Sequence, residues 1–199
     1  MIRNVVFDLG QVLFRFTPKH YLEKEFSSDK RDLIYKEVFR DKEWEDLSRG
    51  LINSDEAAKR IASKSSISYE EAKKILNERK TFITPIEENI RILEKLDDNG
   101  YKIFLLADFH EDLLNEYLSE IPMLQQIYGK VISSEINMLK SEKEMYNYFL
   151  KKYQLIPKET LLIDDSKHNI ANATYFGIKG IVLKKPEDLS NELEKLEML

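Results

Sequence analysis

The chain of 199 residues contains no cysteine. Disulfides, thiolate zinc sites, iron–sulfur clusters and thiol nucleophiles are therefore excluded, and redox chemistry gives no clue to compartment. Histidine is scarce, at three residues, and neither His20 nor His168 has a second histidine at metal-ligand spacing, so both are expected at the polar surface. Basic charge is not in excess: 31 Lys and Arg face 36 Asp and Glu, a net charge of −5. That balance leaves no strong cationic field for nucleic acid. Long apolar runs are missing too, since none approaches the ~20 residues of a membrane span. Met1–Asn4 lead directly into Val5-Val6-Phe7 without a signal-type apolar region. A cytoplasmic protein with neither a membrane nor a nucleic-acid partner is expected.

With 42% hydrophobic and 34% charged residues, the composition excludes disorder and collagen-like structure. The length suits one substantial core rather than two full-sized domains. Five apolar runs predict buried strands at 5–8, 102–107, 130–133, 160–163 and 178–183. None alternates strictly with polar residues, as expected for strands covered on both faces. Helical periodicity at 86–99, 111–119, 141–153 and 167–176 completes a helix–strand rhythm, which predicts an α/β fold, a three-layer Rossmann-like parallel sheet with crossover helices. Gly100 and Gly177 follow two of these helices, where a left-handed cap favours glycine.

Between the first and second strands the rhythm breaks. Apolar spacings of three and four at 21–26, 30–39, 54–64 and 69–80 predict an inserted helical domain over 16–80, with the core domain made of 1–15 and 81–199. Ser54 and Ser68 look like helix starts. Leu189, Leu193 and Leu196 form one stripe of a closing helix.

In an open parallel sheet the site lies beyond the carboxyl ends of the strands. The residues delivered there are Asp8, then Asp108 after Ala107, Lys140 some residues past the third run, and Asp164-Asp165 after the fourth. Ionised carboxylates at the ends of buried strands require a cation or donors. Oxygen-only ligands favour magnesium. For the acid pair alone, a helix cap plus a solvated neighbour is an equal alternative; Asp8 tips the balance towards a site.

VVFDLGQVLF at 5–14, Lys140, and LLIDDSKHNIANATYFGIKGIVL at 161–183 resemble the haloacid dehalogenase-like hydrolase superfamily, in its sugar-phosphate phosphatase-like branch with an FDLG first motif. The helical insertion resembles that family's cap domain. The resemblance implies a Mg2+-dependent phosphatase acting on a small phosphorylated metabolite, with Asp8 as nucleophile forming an aspartyl-phosphate. It implies metal ligation by Asp8, Asp165 and the Gly10 carbonyl, with Asp164 acting through a metal-bound water, and charge neutralisation by Lys140.

Four positions depart from the family pattern. Gly10 replaces the usual acid that protonates the leaving oxygen, a function typically contributing ~10²–10⁴-fold. Ala107 replaces the Ser or Thr that binds the phosphoryl group, and Asp108 stands where a neutral residue is common, leaving 107 and 108 as altered substrate-binding positions. Asp108 or His110 then stands as a displaced general acid, or the changes mark a degenerate member acting as a binding or regulatory module. A metal-free dehalogenase-type hydrolase is the remaining alternative, opposed by the acid pair. Ser141 follows Lys140 where proline is usual, and with Glu144 it has capping-box spacing. Phe14, Phe16 and Trp44 are candidates for the pocket wall.

Overall fold

The computed structural model describes residues 1–199. Its strands are β1 (Asn4–Phe7), β2 (Phe14–Phe16), β3 (Ile83–Pro85), β4 (Lys102–Ala107), β5 (Gly129–Ile132), β6 (Thr160–Asp164) and β7 (Lys179–Val182). Five of them form one parallel sheet in the order β5-β4-β1-β6-β7, which puts β1 at the centre. Successive residues of the inner strands face opposite layers. Val5 and Phe7, Ile103 and Leu105, and Leu161 and Ile163 enter one core cluster, while Val6, Phe104, Leu106 and Leu162 enter the other. Apolar residues at every position, with no polar alternation, are the sequence counterpart of a sheet covered on both faces.

One layer holds α6 (Glu87–Asp98), α7 (Glu111–Glu120), α8 (Pro122–Gln126) and, at the end of the chain, α12 (Leu189–Glu194). On the opposite face lie α10 (Lys143–Lys152) and α11 (Lys167–Tyr175), with Tyr146, Phe149 and Ala173 turned inward. The short α9 (Ser133–Ile136) follows β5 directly. Gly100 and Gly177 take the expected left-handed conformation, at φ 85° and 84°. Helix α12 ends at Glu194, so Leu189 and Leu193 are fully buried but Leu196 is exposed, and the stripe is one residue shorter than expected. No helix is long and apolar enough to cross a membrane.

Helices α1 (Pro18–Glu25), α2 (Ser28–Phe39), α3 (Lys42–Ser48), α4 (Ser54–Lys64) and α5 (Tyr69–Asn77) stand between the arms of an antiparallel ribbon that pairs Phe14 with Pro85 and Phe16 with Ile83. The ribbon is absent from the sequence reading because three-residue strands carry no usable period. Ser68 and Glu71 form a complete capping box at α5. At α4 the cap is Asn53, one residue before Ser54, because the Ser54 hydroxyl is engaged by Arg79 and Asp112. The helical insertion shares the continuous core cluster of the sheet face, through Tyr21, Val38 and Phe82.

Candidate active site

The register of β1 against β6 pairs Phe7 with Ile163, so the next residues, Asp8 and Asp164, emerge side by side at the carboxyl edge. The Asp8 amide donates to the Ile163 carbonyl at 3.0 Å, extending the ladder to the acid itself. Asp8 Oδ1 accepts from the Leu9 amide at 2.7 Å and lies 2.5 Å from Lys140 Nζ. No protein donor reaches Asp8 Oδ2. Beyond it the chain turns sharply, with Gln11 at φ 53° and the Leu13 and Phe14 amides both donating to the Leu9 carbonyl.

Asp164 is completely buried and fully engaged. Lys140 Nζ donates to Oδ2 at 2.8 Å, the Ser166 amide to Oδ1 at 2.8 Å, and Asn169 Nδ2 reaches both oxygens at 3.1 Å. Asp165 is exposed. Lys140 is anchored at three points. Its ammonium bridges Asp8 and Asp164, its amide donates to Asp108 Oδ1 at 2.9 Å, and its carbonyl accepts from Asn172 at 3.2 Å. The expected capping box at Ser141 does not form. Glu142 instead accepts from the Leu139 amide and pairs with Arg49, and the helix begins at Lys143.

Four carboxylates thus share one ammonium. Burial pushes Asp8 well above the usual carboxylate range, against the pull of Lys140 and with the help of Asp164 and Asp165. Burial likewise raises Asp108, and partial burial with the Asp164 charge raises Asp165. Burial alone would lower Lys140, but Asp8, Asp164 and Asp108 together raise it, so the ammonium stays charged. The cluster is short of positive charge. Asp8, Asp164 and Asp165 offer oxygens within 4.8 Å of one another, and the uncommitted Asp165 carboxylate is a hard donor of the type that suits a divalent cation.

Above the acids lies a cavity of about 200 Å³ with Asp8, Gly10, Asp108 and Asp165 at its base. Phe14, Phe16 and Trp44 do line it, as the sequence suggests, joined by Phe109 and His110. Lys140 and Asp164 lie beneath the floor. Ala107 is wholly buried in the core and lines no part of the cavity, because the last residue of β4 turns into the sheet layer. His110 packs edge-on against Trp44, with ring centroids 4.5 Å apart, and its Nδ1 lies 2.8 Å from Arg79 Nη1. A guanidinium only donates, so this nitrogen is the acceptor of a neutral imidazole. Burial and the Arg79 charge hold its pKa at about 3, which removes His110 as a proton donor at neutral pH. Arg79 also pairs with Asp112 at 2.5 Å and donates to Ser54 at 3.0 Å. Nothing local in the sequence marks Arg79, whose side-chain partners lie 25 to 33 positions away. Asn169 has a faint signal, a polar amide one turn into the helix that follows the acid pair.

The family model described as haloacid dehalogenase-like hydrolase matches residues 15–183. The chain belongs to this family. Among solved haloacid dehalogenase-like (HAD) structures, a predicted HAD-like hydrolase from Porphyromonas gingivalis superposes with a TM-score of 0.80 at 20% identity, covering 99% of this chain and 98% of that one. A HAD family enzyme from Bacteroides thetaiotaomicron, in complex with magnesium and inorganic phosphate, gives 0.76 at 22% identity, covering 96% and 99%. An L-2-haloacid dehalogenase from Xanthobacter autotrophicus gives 0.69 at 16%, covering 100% and 85%. At these identities the likeness is one of fold, and the chemistry of this HAD hydrolase rests on its own residues.

Proposed function

We propose that the protein is a Mg2+-dependent phosphomonoester hydrolase with Asp8 as nucleophile, acting on a small phosphorylated metabolite. The observation that carries this reading is the division of labour within Asp8, with Oδ1 held by Lys140 and the Leu9 amide and Oδ2 left without a protein partner at the cavity floor. A carboxylate fixed in this way attacks phosphorus in line, and water then cleaves the aspartyl-phosphate. Lys140 offsets the repulsion between the attacking carboxylate and the anionic phosphate. Asp8, Asp165 and the Gly10 carbonyl would hold the metal, with Asp164 behind them. When bound, the cation supplies the positive charge that four carboxylates and one ammonium lack.

Asp164 orients Lys140 and ties the strand end to α11 through Asn169. Asp108 holds the Lys140 backbone in place and stands as a positioning residue. Trp44 and Phe16 wall the cavity above the floor, and closure of the insertion over a bound substrate would exclude water. A metal-free displacement of halide would expel a second anion into a cavity floored by carboxylates with no free cation, which disfavours the dehalogenase reading. The magnesium and phosphate carried by the Bacteroides thetaiotaomicron enzyme support the phosphatase reading.

The test is hydrolysis of 4-nitrophenyl phosphate with and without Mg2+, in wild type and Asp8→Asn. Turnover that needs Mg2+ and vanishes in a folded Asp8→Asn protein is the expected result. A folded wild type that binds phosphate without turning over any ester would make the protein a binding module.

A further inference from the structure

Resting on the phosphatase reading, we propose that the natural substrate is a small aryl phosphate, whose leaving group departs as a phenolate without protonation by the protein. In-line attack from Asp8 places the leaving oxygen on the far side of phosphorus, against the part of the cavity wall that excludes the acidic floor. Besides the Trp44 indole, that wall contains three polar side chains, and none is a carboxylic acid or a cationic donor. Gln11 Nε2 donates to the Phe16 carbonyl at 3.3 Å, Ser48 Oγ donates to the Trp44 carbonyl at 3.0 Å, and His110 Nδ1 accepts from Arg79 at 2.8 Å. No lysine or arginine lines the cavity. Gly10 stands beside the nucleophile with nothing within 4 Å of an added Cβ and with no left-handed φ, so a side chain there is sterically permitted and absent.

A leaving group that receives no proton must be a good one. A phenol ionises near 10, whereas an aliphatic hydroxyl holds its proton about as tightly as water, at roughly 15.7. The rest of the wall is Phe14, Phe16, Trp44, Ile83, Phe109 and Leu113, a surface for a planar apolar ring and a poor host for a polyol or a second anion. The cavity of about 200 Å³ matches one ring, since cavities near 150 Å³ take up benzene. In the reaction, the Asp8 oxygen–phosphorus bond forms as the phosphorus–phenolic oxygen bond breaks, and the phenolate leaves with the electron pair. Water then attacks phosphorus, Asp8 returns as carboxylate, and a proton from that water ends on the phenolate, so one water is consumed per ester.

The experiment is kcat/KM with Mg2+ for a series of ring-substituted phenyl phosphates, for glycerol phosphate and for a hexose 6-phosphate. Wild type should show a steep fall with leaving-group pKa across the phenyl series and prefer phenyl phosphate over the alkyl esters by at least ~10²-fold, the lower end of what a general acid contributes. Gly10→Asp should narrow that gap by raising the alkyl esters. Alkyl esters turned over within tenfold of phenyl phosphate, with a shallow slope, would overturn the proposal. A shallow wild-type slope that steepens in Asp108→Asn would overturn it by naming Asp108 as the donor. Absence of turnover for every ester, alkyl and aryl alike, would instead defeat the phosphatase reading on which it rests.

Discussion

Lys140 illustrates how little freedom a single side chain retains at this floor, with its ammonium between Asp8 and Asp164 and both its backbone groups bonded to Asp108 and Asn172. The strand ends mark the four acids in the sequence, because apolar runs stop abruptly at charges, whereas Lys140 lies past β5 and is marked by the family resemblance. Arg79 is invisible there, since its role comes from partners brought together by folding. His110 carries a testable consequence of that meeting. Its pKa is held at about 3 by burial and by Arg79, against an unfolded value near 6.5. The folded value is the lower one, so between the two the unfolded chain binds more protons. The stability tied to neutral His110 is complete above about pH 6.5 and is lost as pH falls toward 3, at up to ~1.4 kcal/mol per pH unit. Asp8, Asp108 and Asp165 are raised instead, so their contribution runs the opposite way, being lost as pH rises through their folded values. The difference between wild type and His110→Gln isolates the imidazole. The melting temperature of wild type relative to the variant should drop between pH 7.5 and 5.5. Parallel curves would show that His110 titrates normally.

Among the elements, the seam between α3 and α9 holds the insertion over the floor. Ser133 Oγ donates to the Ser48 carbonyl, Asn137 Nδ2 to the Arg49 carbonyl at 2.7 Å, and Arg49 pairs with Glu142 at 2.6 Å. Gly50 sits inside this seam with φ 70°, and a Cβ there would collide with the Ser134 carbonyl, which is backbone and cannot swing aside. Gly50→Ala should therefore destabilise the protein in urea by more than the ~1–2 kcal/mol of a left-handed alanine. It should also lower activity by lifting the insertion. Gly100→Ala is the control, with φ 85° and open space around its Cβ, and should show the conformational cost alone. The long helices and central strands were legible because their periods run over several turns or fill both faces. The β2–β3 ribbon, α3 and α9 were not, being too short to show a period.

At the scale of the whole molecule, the charge deficit at the sheet edge links metal binding to stability. Four carboxylates facing one ammonium are held together by the fold against their repulsion, and a divalent cation would relieve it. Mg2+ at a hundredfold excess over its Kd should add about 2.7 kcal/mol to stability, which corresponds to several degrees of melting temperature for a chain of this length. Asp165→Asn should reduce this gain, and a melting curve indifferent to Mg2+ would count against the metal. The amino-acid sequence alone determined the parallel sheet, the helical insertion after the first strand, and which residues reach the carboxyl edge. Those features follow from hydrophobic periodicity and from the places where it stops, which are local properties of the chain. Tertiary structure decided the rest: that Ala107 is core rather than pocket, that His110 is a neutral acceptor, and that Asp164 is spent on Lys140 and Asn169 while Asp165 stays free. Each of these depends on which distant groups share a small buried volume, and no spacing along the chain encodes that.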